Sequence, residues 1–410
     1  MLSLKNGKDI TQVWEELAQQ GGRIVYLVLD GAGGILHPDT GKTALQAAYT
    51  PNLDRLAETS SCGMLELVGP GITPGSGPGH LALFGYEPLR FTPGRGVLSA
   101  LGIDFDLQEG DIAARVNFAT LDADGNISDR RAGRISTEQN KLLCEKIKKS
   151  VHLDIDGQYF FETVSEHRAV FIIRSWALGA DVSDTDPQIT GVTPKTPEAK
   201  TPHSGHTAEL AQAFVKGANR ALADEPAANT VLLRGFAQYS PLRSLKQRFH
   251  LNGLCVAQYP MYRGVSRLIG MDLADPVDSV DASFKMLTSQ YNDKHDFYFL
   301  HVKHTDTFGE DGNFAAKVGE LEKVDRLLPQ LMELKPDTLI VTADHSTPAS
   351  MAKHSWHPVP VLLHARDARV DDVSQFDEYS CMRGSLGLRP GIHLMGLALA
   401  HAGRLKKFGA

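Results

Sequence analysis

The sequence predicts an α/β protein with a mostly parallel sheet between helices and a smaller inserted α+β domain. Three observations carry this. Strand-like and helix-like stretches alternate over most of the chain. Three short runs, Arg23–Leu29, Phe297–Val302 and Thr338–Thr342, are almost wholly apolar, as strands covered on both faces of a parallel sheet must be. Each run stops at polar residues: Asp30-Gly31, Lys303-His304-Thr305-Asp306 and Ala343-Asp344-His345. Open α/β sheets bind ligands outside the carboxyl ends of their strands. Segments remote in sequence therefore converge on one site.

The middle of the chain has a different texture, with short strand candidates at Ala169–Ile173 and Thr230–Leu233, many turn signals and many arginines. The stretch Ser183–His206, rich in Asp, Thr and Pro, reads as a surface loop. Because the site-forming strands lie on both sides of this region, it is expected to be an insertion over 106–265. Residues 1–105 and 266–410 then form the two parts of one core domain. A chain of 410 residues has room for two such domains.

Composition narrows the class further. With 42 Lys+Arg against 49 Asp+Glu, the net charge of −7 lacks the basic excess of a nucleic-acid binder. Hydrophobic residues at 42% and charged residues at 22% describe a globular chain rather than a disordered or fibrous one. No apolar run approaches a membrane span. The opening MLSLKNGKDITQVWEEL reads as a polar helix and not a secretory signal. Four separated cysteines, Cys62, Cys144, Cys255 and Cys381, form neither a CxxC pair nor a disulfide framework. The expectation is a cytoplasmic protein with reduced thiols.

Three clusters could carry chemistry. Asp344-His345 ends a strand and is followed by His354 and His357. Adjacent residues at a strand end point in different directions, so this pair can bridge toward two metals, although standing alone it reads more readily as helix capping by Asp344 with a hydrogen-bonded His345. Asp30, Asp306 and Glu310, each just beyond its own strand, tip the balance toward metal. Asp306 and Glu310 share one face if a helical turn follows. Carboxylates mixed with imidazoles suit Mn²⁺, Zn²⁺ or Mg²⁺. The second cluster is Thr73 to His80, where Ser76 lies in a Gly/Pro turn opening a helix, with its hydroxyl exposed and backbone amides nearby to receive an anion. Serine needs a base or a metal to become a nucleophile. No GxSxG elbow or triad order is present, so metal activation is favoured over a hydrolase triad, while taken alone the stretch reads more readily as a plain Gly-Ser-Gly turn. The third is cationic: Arg115, Asp129-Arg130-Arg131-Ala132-Gly133-Arg134, His167-Arg168 and Arg234. Arginine forks match phosphate and carboxylate, and their clustering in an acidic chain points to a small phosphorylated acid as easily as to a solvated charged face. Asp30-Gly-Ala-Gly-Gly is no dinucleotide loop, since no GxGxxG fits. His203 and His206 have ligand-like spacing but fall in the polar loop.

Together these residues resemble the archaeal-type, cofactor-independent phosphoglycerate mutases of the alkaline phosphatase superfamily. The resemblance runs over most of the chain. It includes LVLDGAGG, TPNLDRLA (Thr50–Ala57), PGSGPGHLALFGYEP (Pro74–Pro88), NFATLDADGNISDRRAGRI (Asn117–Ile135), EHRAVFIIR (Glu166–Arg174) and SDTDP (Ser183–Pro187). It continues through HVKHTDTFGEDGN (His301–Asn313), TADHSTP, HSWHPVP and a terminal KFGA. The resemblance implies an alkaline-phosphatase-like core, a two-metal site and a phosphoserine intermediate. Ser76 would be the nucleophile. Asp30, Asp344 and His345, with the Ser76 oxygen, would hold one metal; Asp306, Glu310 and His354 would hold the other. His357 stands where the family has Asn or Asp and is read as an outer neighbour. Arg115, Arg131 and Arg234 are the candidates for holding substrate carboxylate and phosphate.

Two departures stand out. The family reads Asp-x-x-x-His where this chain has Asp306-Thr-Phe-Gly-Glu310, a change that favours harder ions such as Mn²⁺ or Mg²⁺ and lowers Lewis acidity. Gly77 replaces a commonly acidic residue beside the serine. The reaction implied is interconversion of 3- and 2-phosphoglycerate, with two divalent metals, Mn²⁺ first, and no bisphosphoglycerate, the inserted domain closing to keep water from the phosphoserine. A related phosphotransferase or phosphatase using another small metabolite, homoserine-kinase-like, is the rival, and a metal-binding or sensing module without catalysis is a third reading. The partner expected is a small phosphorylated acid, with no nucleic acid and no membrane.

Overall fold

The structure, a computed structural model, describes residues 9–91 and 93–409. Of the helix expected at the amino end, Ile10–Leu17 is helical and capped by Asp9; residues 1–8 lie outside the described residues. In chain order the strands are β1 (Ile24–Leu29), β2 (Ser61–Glu66), β3 (Ile112–Leu121), β4 (Ile127–Asp129), β5 (Gly157–Ser165), β6 (Arg168–Ser175) and β7 (Thr230–Gln238). They continue with β8 (Gly253–Val256), β9 (Asp272–Leu273), β10 (Phe297–Val302), β11 (Thr338–Thr342), β12 (Val359–Ala365) and β13 (Gly387–Pro390).

The chain divides into two compact units. The first comprises 9–91, Arg243–Tyr262 and 269–409; the second comprises Pro93–Leu242 with Arg263–Leu268. Against the insertion expected at 106–265, the second unit begins earlier, because the helix Arg95–Gly102 packs on the strands of that unit. Gly96 lies so close to the Ala113 carbonyl that a Cβ would sit 2.1 Å from its oxygen. The chain re-enters the first unit at Arg243 and lends one short helical stretch back, Arg263–Leu268.

The first unit is built on an eight-stranded sheet, ordered β13-β2-β12-β11-β1-β10-β8-β9. Only β12 runs against its neighbours; every other pairing is parallel. All residues of β1, β10 and β11 are buried, as unbroken apolar strands in the middle of a doubly covered parallel sheet should be. Register decides where their ends fall. Leu29 pairs with Val302 and Val28 with Thr342, so residues 30, 303 and 344 come level at one carboxyl edge.

The second unit has an antiparallel sheet in which β3 pairs with β4, β6 and β7, and β6 with β5. The helices Thr137–Ser150 and Gly205–Ala221 bury Leu143, Ile147, Leu210 and Phe214 against Phe161, Phe171 and Leu233. The stretch expected to be loop through His206 ends sooner. Pro202–Ser204 is a 3₁₀ turn, and His206 lies in the first turn of the helix Gly205–Ala221, exposed and 3.3 Å from Glu209. Among the described residues no helix is long and apolar enough to cross a membrane.

Candidate active site

At the carboxyl edge of the large sheet two groups of ligand atoms converge: Asp30, Asp344 and His345, and Asp306, His345 and His354. His345 belongs to both. Its Nε2 lies 3.1 Å from Asp30 Oδ1, 3.3 Å from Asp344 Oδ2 and 3.9 Å from Asp306 Oδ1. Asp30, Asp344 and His345 are fully buried, and Asp306 nearly so. No helix follows Asp344, so capping does not explain it; its Oδ1 accepts the Gly31 N–H at 3.1 Å.

Hydrogen bonds from behind fix the two imidazoles. Thr347 Oγ1 donates to Asp306 Oδ1 at 2.6 Å, so toward His345 Nδ1, 3.0 Å away, it can only accept. His354 Nδ1 lies 3.0 Å from the Pro74 carbonyl and must donate to it, which turns Nε2 toward Asp306 (3.4 Å) and Glu310 (3.6 Å). The two rings stack at 3.7 Å.

Ser76 opens the helix Ser76–Leu83, with Gly75 at the cap. Its Oγ is 3.3 Å from His345 Nε2. The helix start reaches this edge because Gly79 carries no side chain: a Cβ there would lie 2.1 Å from the Asp344 carbonyl oxygen. Gly31 serves similarly, with φ at +60° and a Cβ position 2.5 Å from Thr347 Oγ1 and 2.8 Å from Asp306 Oδ1.

Several residues of the site were not singled out from the sequence. Lys303, level with Asp30 across the β1–β10 register, places its ammonium 3.0 Å from Asp30 and 2.5 Å from Asp306. Burial opposes its charge, yet the two carboxylates raise its pKa above the ordinary lysine range. Burial alone would raise Asp30; Lys303, with His345 and His301 beside it, holds it well below the usual carboxylate range. Against burial, Asp344, Asp30 and Asp306 push His345 up to about 9. Tyr262 donates to Asp30 Oδ2, and its hydroxyl oxygen lies 3.4 Å from Ser76 Oγ. His80 Nδ1 donates to the Ser76 carbonyl at 2.8 Å and lies 3.2 Å from Asp344. Lys303 carries a readable signal, a lysine at a strand's carboxyl end three residues before a carboxylate. Tyr262 and His80 carry none, since an aromatic or histidine in a helix is ordinarily core.

The donor set suits a divalent ion. Asp30 Oδ1 and Asp344 Oδ2 are buried without a hydrogen-bond donor, though an imidazole nitrogen stands close to both. Such an arrangement is costly unless a cation completes it. Among the expected ligands, Asp30, Asp306, Asp344, His345 and His354 come together, and Ser76 stands beside them. Glu310 does not join the convergent groups: it lies on the helix His304–Glu310 with its side chain half exposed and reaches only His354. His357 also stands outside, turned to Ser355 Oγ at 3.0 Å.

The arginines Arg115, Arg131 and Arg234 all belong to the second unit. Arg115 on β3 and Arg234 on β7 are directly paired in register, beside an irregularity between Ala113 and Arg115. Arg234 also lies 3.3 Å from Asp186, which Arg130 holds through a two-pronged contact at 2.9 and 2.7 Å. Arg131 is exposed. His167 is buried and neutral: burial, then Arg168, Arg115, Arg131 and Arg134, bring its pKa down to about 3.

A carboxylate–imidazole centre at the carboxyl edge of a mainly parallel sheet defines a metal-dependent enzyme of the α/β class. Comparison with known proteins agrees. The family model "2,3-bisphosphoglycerate-independent phosphoglycerate mutase" matches residues 57–228. Relatives named as probable enzymes of that kind include one from Thermus thermophilus, 47% identical over 98% of this chain and 100% of the relative. Another, from Deinococcus radiodurans, is 49% identical over 95% and 96%. Among solved structures, a Pyrococcus horikoshii protein superposes with a TM-score of 0.81 at 28% identity, covering 96% of this chain and all of that one. The cofactor-independent phosphoglycerate mutase of Thermoplasma acidophilum gives 0.67 at 28%, covering 93% and 100%. The chain belongs to the 2,3-bisphosphoglycerate-independent phosphoglycerate mutase family, enzymes of the isomerase class.

Proposed function

We propose that this chain interconverts 3-phosphoglycerate and 2-phosphoglycerate through a phosphoserine on Ser76, at a site holding two divalent metals, Mn²⁺ by preference. The observation that carries the reading is Ser76 Oγ at a helix start, 3.3 Å from the one imidazole that both ligand groups share. Asp30, Asp344 and His345 would hold one ion, and Asp306 and His354 the other, with Glu310 closing in on the second from its place beside His354. Bound there, the ions would lower the serine pKa and offset charge on the phosphoryl oxygens.

The chain's own residues do the rest. Ser76 Oγ gives up its proton and attacks phosphorus in line, the P–O bond to glycerate breaks, and the departing alkoxide takes up a proton in exchange for the one the serine released. Lys303, charged and held between Asp30 and Asp306, supplies further positive charge for a phosphoryl oxygen. Glycerate then turns and its other hydroxyl attacks the phosphoserine, restoring Ser76. Arg115, Arg131 and Arg234 are the proposed holders of the substrate's anionic groups, a role supported by the directly opposed pair Arg115–Arg234.

The test is a coupled assay with 3-phosphoglycerate, Mn²⁺ and excess enolase, without bisphosphoglycerate, with free phosphate followed in parallel. Enolase-dependent product without phosphate release is the expected result. Phosphate release, or no turnover by metal-loaded protein, would assign the site to another phosphorylated metabolite, the direction in which Glu310 departs from the resembled pattern.

A further inference from the structure

Against the turns that carry the ligand groups, a lysine is buried that the proposed chemistry does not use. Lys317 lies on the helix Phe314–Leu327, and only 1% of its surface is exposed. Its ammonium donates to the Gly31 carbonyl at 2.7 Å and to the Thr347 carbonyl at 2.7 Å. Neither acceptor is an arbitrary piece of backbone. Gly31 follows Asp30 and donates its own N–H to Asp344. Thr347 lies two residues beyond His345; its hydroxyl donates to Asp306 and accepts from His345 Nδ1. The Thr347 N–H donates to the Gly31 and Gly33 carbonyls at 3.1 and 3.0 Å, so the two segments are already paired where Lys317 binds them.

We propose that Lys317 is a positioning residue for the metal ligands, its ammonium binding the Gly31 and Thr347 carbonyls so that both ligand groups are held ready before an ion arrives. The proposal rests on the two-metal reading above. Burying an ammonium costs heavily unless it is well bonded, and a methionine of similar length would fill the space without that cost. The nearby carboxylate is Glu378, buried, with Oε2 accepting from Thr43 Oγ1 at 2.6 Å and Oε1 unpartnered. Burial lowers the Lys317 pKa to about 8, and Glu378 is the foremost charge opposing that shift. The bonds Lys317 makes all lead to the ligand-bearing turns. Groups that orient first-contact ligands from behind typically change metal affinity by about 10–100-fold when removed.

The experiment uses the full chain stripped of metal and titrated with Mn²⁺, free ion being read by electron paramagnetic resonance, with apo-protein melting followed alongside. Lys317→Met is expected to bind Mn²⁺ about 10–100-fold more weakly than the unaltered chain, and its loaded spectrum to differ. A merely structural lysine would lower the apo melting temperature and leave affinity and spectrum alone, which would overturn the proposal. Should Lys317→Met fail to fold, Lys317→Gln, a shorter side chain with a neutral amide in place of the ammonium, tests the same two carbonyl contacts with a milder change. Weakened Mn²⁺ binding there supports the proposal, and unchanged binding overturns it. If the unaltered chain binds no Mn²⁺, the two-metal reading falls and this inference with it; if it binds two ions and Lys317→Met matches it, this inference alone falls.

Discussion

Arg115 and Arg234 face each other across neighbouring antiparallel strands. Like charges directly opposite in a sheet repel, and Arg234 offsets part of that cost through Asp186, 3.3 Å away. Arg234→Met removes that repulsion together with the contact to buried Asp186, which Arg130 still holds, so stability without ligand should change by about 1 kcal/mol or less. The melting shift given by 3-phosphoglycerate should shrink sharply, with KM rising. An undiminished ligand shift would remove Arg234 from the binding set.

Ser76→Ala should reduce turnover by at least about 10³-fold, as loss of a nucleophile typically does, while Mn²⁺ content measured by elemental analysis stays near that of the unaltered chain. Brief incubation with phosphate-labelled substrate should label the protein only when Ser76 is present. Retained activity would refute the phosphoserine path.

Glu310 reaches His354 from a half-exposed position, 3.6 Å away. Replacing its carboxylate with a neutral imidazole removes a hard oxygen donor. Glu310→His should shift the competition between Zn²⁺ and Mn²⁺ toward Zn²⁺ by about tenfold. Competition titration of the apo-protein reads this directly, and an unchanged ratio would show that residue 310 does not ligate.

His167 gives the second unit a signed pH dependence. Burial, followed by four arginines, holds its folded pKa near 3 against an ordinary 6.5. Between those values the unfolded chain binds a proton that the folded chain refuses, so stability is present above pH 6.5 and lost as pH falls toward 3. The slope from this residue approaches about 1.4 kcal/mol per pH unit. Denaturation of His167→Asn and the parent at pH 7 and pH 4.5 should show the parent losing more on acidification; parallel losses would contradict the assignment.

Gly79→Ala puts a methyl 2.1 Å from the Asp344 carbonyl oxygen, closer than any contact allows. The helix bearing Ser76 must shift, costing about 1–3 kcal/mol of stability and misplacing the Oγ. Turnover should fall more than metal affinity, and a variant with full kcat would show that the helix start tolerates displacement.

Why some of this was legible in the sequence and some was not follows from what each element depends on. β1, β10 and β11 could be read because a strand buried on both faces has to be apolar throughout, and a carboxylate at its end stands out. The site residues Asp30, Asp306, Asp344 and His345 follow from that single rule. Tyr262 and Lys317 could not be read, because each reaches the site by three-dimensional placement alone and sits in helices whose pattern demands nothing unusual at those positions. The boundary of the second unit was missed at Arg95–Gly102 for a similar reason: an amphipathic helix fits one sheet as well as another, and only Gly96 on the Ala113 carbonyl specifies which. His206 is at the surface as expected, but lies in the first turn of a helix instead of closing a loop, because the Pro-rich stretch before it conceals the helix start.

The strand order also has a consequence for synthesis. β1 lies between β10 and β11, both of which emerge far later. At ribosomal speeds of about 5–20 residues per second, β1 waits roughly 15–50 s for its first neighbour of the central sheet. In that interval six consecutive apolar residues have no permanent partner, whereas the second unit is complete by Leu268, before β10 has been made. The second unit can therefore be finished while the first is still an open chain. Ile24–Leu29 is then a wholly apolar segment left long without its sheet partners, so a chaperone that holds it should raise the yield of soluble protein.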